Sequence, residues 1–77
     1  MPSFREAAII ILKEAGTPLT VSEITKRSLQ KGLINTNGKT PKRTMYTQIY
    51  RDIEKKKKDS AFIKSGKGFF KLNHNKI

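Results

Sequence analysis

The chain has 77 residues and no cysteine, and its 17 Lys and Arg outnumber 6 Asp and Glu for a formal net charge of +11. That length holds one domain. Disulfide scaffolds and cysteine zinc sites are excluded, no apolar run is long enough to span a bilayer, and no secretory signal pattern opens the chain. What remains is a small, basic intracellular module, in cytoplasm, nucleoid or nucleus, whose partner is negative: nucleic acid first, then an acidic protein face or an anionic membrane surface.

The first expected helix covers 3–15. Ser3 is an N-cap with Glu6 three residues on, the spacing of a capping box. Phe4, Ala8, Ile11, Leu12 and Ala15 share one face, and Ile9 and Ile10 widen it. Gly16 and Pro18 stop the helix. A short extended stretch, 19–21, leads to a second capping pair, Thr20 and Glu23, so a helix starts near Val21 and ends at Lys31, before Gly32. Val21, Ile24 and Ser28 form its inner face, and 35–39 is a turn. The third helix has the sharpest start, with Thr40 as N-cap and Pro41 at the first helical position, and it runs to about Lys56. Met45, Ile49 and Ile53 are spaced four apart. Tyr46 and Tyr50 flank that line and are assigned to the core; the opposite face carries Arg43, Thr44, Thr47 and Arg51. The period then changes. Two short strands, 61–65 and 69–72, are joined by Gly66-Lys67-Gly68, a hairpin turn. Ile63, Phe70 and Leu72 are expected inward, Lys64 and Lys71 outward, and Phe69 exposed beside the turn. Residues 73–77 have no pattern and read as a frayed tail.

Three helices followed by a C-terminal β-hairpin make a mainly α (α+β) fold, the winged helix–turn–helix arrangement, with the hairpin as wing. The ordered set of residues resembles the HARE-type winged helix–turn–helix domain. It begins with Phe4-Arg5-Glu6-Ala7-Ala8 and Leu12-Lys13-Glu14-Ala15-Gly16-Thr17-Pro18-Leu19, and continues through Glu23-Ile24-Thr25 and Lys31-Gly32-Leu33-Ile34. Thr40-Pro41-Lys42-Arg43-Thr44-Met45-Tyr46, Ile49-Tyr50-Arg51-Asp52-Ile53, Phe62-Ile63-Lys64 and Gly68-Phe69-Phe70-Lys71-Leu72 complete it, so the domain spans 3–72 and the tail 73–77. The resemblance implies a winged-helix fold and a DNA-binding role in transcription regulation. It also implies relatives in chromatin-associated regulators, restriction-type endonucleases and the RNA polymerase delta subunit, and hence an alternative: a protein-interaction winged helix docking on RNA polymerase or a chromatin complex. The run Lys55-Lys56-Lys57-Lys58 is heavier than the family pattern.

A recognition helix offers its first turns to base edges, which selects Lys39, Thr40, Lys42, Arg43, Thr44, Thr47 and Arg51 as DNA contacts. Lys64 and Lys67 join them from the wing, with Lys67 best placed at the apex. The surplus cations are expected to gather on this helix rim and wing. Lys55–Lys58 suit the helix macrodipole and solubility as well as phosphate contact. His74 has no companion ligand, no nucleophile–base pair is present, and Gly66-Lys67-Gly68 lacks P-loop spacing, so neither a metal, a cofactor nor catalysis is expected. The basic face has no opposing apolar face for membrane insertion, and no dimerisation segment is visible, so a monomer on double-stranded DNA is the expected state.

Overall fold

A computed structural model describes residues 3–35 and 40–74. In chain order it contains α1 (Phe4–Ala15), β1 (Leu19–Thr20), α2 (Val21–Gln30) and α3 (Pro41–Lys56). A 3₁₀ turn (Lys57–Asp59), β2 (Phe62–Lys64) and β3 (Phe69–Leu72) follow. The helix ends follow their capping chemistry. Ser3 Oγ accepts from the Glu6 N–H at 3.1 Å while the Ser3 N–H donates to Glu6 Oε1 at 3.2 Å, a complete capping box. Gly16 closes α1 at φ 67°, in the left-handed region that suits glycine. At α2 the box is half formed: Thr20 Oγ1 accepts from the Glu23 N–H at 3.2 Å, but the Glu23 carboxylate turns to Arg27 Nε at 2.9 Å. Thr40 occupies the N-cap of α3 without a side-chain capping bond, so Pro41 and the Thr40 carbonyl, which accepts from the Thr44 N–H at 3.1 Å, carry that start.

The wing is larger than a hairpin. β1 pairs antiparallel with β3 (Leu19↔Phe70, Thr20↔Phe69), giving a three-stranded sheet in the order β1-β3-β2. On the other side Phe62 faces Leu72, Ile63 faces Lys71 and Lys64 faces Phe70. Directly paired side chains share a sheet face, so Phe62, Phe70 and Leu72 turn inward. The expectation that Ile63 faces the core is corrected: Ile63 is 39% exposed and Phe62 1%. The run Ala61-Phe62-Ile63 is apolar throughout and carries no alternation, and a one-residue shift exchanges the two faces. The same shift corrects Lys64. It lies on the face of Phe70 rather than the outer one, at the end of the sheet where it still reaches solvent.

The core lies where the three helices and the inner sheet face meet. Ala7 and Ala8 on α1 are fully buried, and α1 packs against both α2 and α3. Ile11, Ile24, Met45, Ile49, Phe62 and Phe70 are the largest buried apolar residues. One charge joins them. Asp52, on the inner side of α3, accepts from Arg5 Nε at 2.9 Å, Ser60 Oγ at 2.6 Å and the Ala61 N–H at 3.0 Å, with Lys56 Nζ at 3.5 Å. Burial pushes its pKa up. The bonds from Ser60, Arg5 and Ala61 and the charge of Arg5 outweigh that and hold it below its ordinary value. The carboxylate thus ties the start of α1 to α3 and the root of the wing. The expected frayed tail also starts too early: Asn73 is buried and donates to the carbonyls of Lys58 and Ser60, each at 3.0 Å, while 75–77 lie outside the described residues.

Candidate nucleic-acid interface

Helix α3 buries Met45, Ile49 and Asp52. At about 100° per residue, the stripe turned away from them is Arg43, Tyr46, Thr47 and Tyr50, spaced i, i+3, i+4 and i+7, with Glu54 one turn beyond Tyr50. This corrects the assignment of both tyrosines to the core: Tyr46 is 47% and Tyr50 40% exposed. Both lie off the line of Met45, Ile49 and Asp52 that faces the core. The tyrosines stack on each other instead, with ring centroids 5.5 Å apart and planes 12° from parallel, and Tyr46 meets Phe70 edge-on at 6.5 Å and 76°. Thr47 Oγ1 donates to the Arg43 carbonyl at 2.9 Å, so its hydroxyl proton is used within the helix.

An open cleft separates this stripe from the wing. It is lined by Thr20, Val21 and Ser22 from the first turn of α2, Lys42 and Tyr46 from α3, and Lys64, Gly68 and Phe70 from the sheet. Lys42 and Lys64, far apart in sequence, therefore face one space. Thr40, Pro41, Lys42, Arg43 and Tyr46 line an adjoining depression. Lys67 stands exposed at the apex of the wing turn. There the Ser65 N–H donates to the Phe69 carbonyl at 2.8 Å, and Gly68 has φ 79° at the third turn position, where a side chain would be strained. Arg51 sits apart, in a depression with Arg5, Gln48, Asp52, Lys55 and Lys56. Thr44 is exposed and lies two helical turns before Arg51, on that same edge. Lys39 lies outside the described residues.

Apart from Glu54 at the far end of the α3 stripe, the carboxylates lie away from this surface. No Asp or Glu occurs at 24–51 or 60–77. Glu14 pairs with Lys31 at 3.0 Å, Glu23 with Arg27, and Asp52 with Arg5 and Lys56. None lines the cleft between α3 and the wing. The positive charge is nevertheless wider than the expected rim and wing, because Lys13 and Lys71 border a separate groove with Leu12, Pro18 and His74. Sequence reasoning missed the two tyrosines and the contribution of Thr20 and Ser22. The capping pair at Thr20 and Glu23 places the start of α2, but only the pairing of β1 with β3 brings that start beside the wing.

Three helices, a three-stranded sheet ending in a β-finger, and a carboxylate-free cleft between them define a winged helix–turn–helix domain. The chain belongs to the HARE-HTH family (the ASXL and restriction endonuclease HTH domain), which it matches over residues 3–74, nearly its whole length, and the family suggests a DNA-binding role. No curated protein and no solved structure gives a significant match. Among the described residues no helix is long and apolar enough to cross a membrane.

Proposed function

We propose that the domain is a non-catalytic binder of duplex DNA, docking the Arg43 stripe of α3 in the major groove while the wing holds the flanking phosphates. The observation that carries this reading is the convergence of Lys42 and Lys64 on one carboxylate-free cleft, with Arg43 and Lys67 exposed at its borders. Cations without acidic neighbours attract phosphate rather than each other's counter-charges, and a protein that neutralises phosphates releases condensed counterions. With about six phosphates engaged, log K falls against log salt with a slope near −5, from roughly −0.9 per phosphate. In a salt titration with duplex DNA, Lys42→Ala and Lys64→Ala should each flatten that slope by about 0.9; a wild-type slope near zero would rule the reading out.

A second reading has one observation in its favour. Ile63 and Phe69, 44% exposed, lie on the outer sheet face beside Lys71, an apolar patch that suits docking on a protein such as RNA polymerase or a chromatin component. It predicts only weak contact with any DNA and a tight protein partner in a pull-down.

A further inference from the structure

The stripe that enters the groove on the reading above is not purely basic. Its centre is the stacked pair Tyr46 and Tyr50, between Arg43 at its start and Thr47 at its side, all exposed or half-buried. Two aromatic rings held face to face form a rigid apolar surface that loses little freedom on binding, because Tyr46 is also braced edge-on by Phe70. A recognition helix with such a centre needs an apolar partner in the groove. Among the groups that unmodified base pairs display in the major groove, the one apolar group larger than a hydrogen is the C5-methyl of thymine. Guanine edges would satisfy Arg43, and the phenolic hydroxyls can bond polar edges, but the ring faces would desolvate polar atoms without pairing them. We therefore propose that the Tyr46–Tyr50 pair is a thymine-reading surface, which makes the domain prefer sites where thymine methyls line the groove beneath the middle of α3. The inference rests on the duplex-DNA reading and goes beyond it by naming the base group recognised and the residues that recognise it.

The methyl can be removed without touching the protein. Binding of the wild-type domain is compared on a short alternating dA/dT duplex and on the same duplex with deoxyuridine in place of thymine, which keeps every hydrogen-bonding edge and deletes only the methyls. Loss of each contacted methyl should weaken binding about fourfold, the worth of one buried carbon. In the Y46A/Y50A double variant the thymine and uridine duplexes should bind equally, with the salt slope retained. Both tyrosines are exposed, and among the described residues Tyr50 has its ring contact with Tyr46, so a melting curve checks that the variant is folded. Equal binding of thymine and uridine duplexes by the wild type, with a steep salt slope, overturns the thymine proposal and leaves duplex binding standing. A thymine preference that survives in Y46A/Y50A overturns the assignment to the tyrosines. No salt-dependent binding to either duplex overturns the duplex reading, and this proposal with it.

Discussion

Asp52 joins α1, α3 and the root of the wing through one buried carboxylate. Its partners lie 47 positions upstream and 8 to 9 downstream, so no local pattern announces its burial. Tyr46 and Tyr50 flank the apolar line of α3 and so read as core, but they lie toward the side turned away from Met45, Ile49 and Asp52. Asp52→Asn keeps the shape but loses the charge of a hydrogen-bonded buried group, and should lower unfolding stability by about 2–4 kcal/mol in a denaturant titration. Because the folded pKa is depressed, the carboxylate's contribution is present above the unfolded value and disappears as pH falls through about 4 and below. Melting temperature should therefore drop in acid for the wild type and respond less for Asp52→Asn; parallel acid profiles would refute this role. Lys57 offers the opposite experiment. It ends α3 at φ 49° and ψ −119°, a conformation costly for any residue with a Cβ. Lys57→Gly should stabilise the fold by about 1 kcal/mol, a rise of about 4–8 °C in melting temperature.

At the level of elements, boundaries marked by chemistry were legible and faces marked only by packing were not. Ser3 with Glu6, Thr20 with Glu23, Gly16, Pro41 and the Gly66–Gly68 turn each carry a local physical signal, and α1, α2, α3 and the hairpin begin and end where those signals stand. The inner face of β2 and the third strand of the sheet depend on contacts between distant segments. The extended stretch at 19–21 is readable, but its pairing with β3 is not, and the apolar run before Lys64 has no period to read. The separate positions of α3 and the wing also divide their expected roles. Arg43 lies on the exposed stripe of α3, so on the proposed docking Arg43→Ala should cost about 1–3 kcal/mol on a preferred site and blur selection at one base pair. Lys67 stands at the wing apex, so Lys67→Ala should weaken all duplexes alike. Fluorescence anisotropy on a panel of single-base variants distinguishes the two, and identical profiles for both substitutions would contradict the division.

The whole molecule measures 32 × 24 × 23 Å and carries +11. Its longest dimension is about three Debye lengths at roughly 0.1 M salt, so charges at opposite ends are screened from one another and the self-repulsion acts between neighbouring cations. Added salt should act in opposite directions on the two properties of the domain. Screening raises its melting temperature, while the same screening and the loss of counterion release weaken its hold on DNA. A melting temperature that falls with sodium chloride would show that the ion pairs on α1 and α2, and not the unpaired cations, dominate the electrostatic balance.

Thr20 serves two elements at once: it closes the first turn of α2 with its hydroxyl, and its backbone lies against Phe69 in the sheet. A force that lifts the β-finger must either unzip it from Leu19 and Thr20 or drag the start of α2 along. Finger and helices thus travel as one piece, and the spacing between the exposed stripe of α3 and the wing apex is fixed by the fold itself.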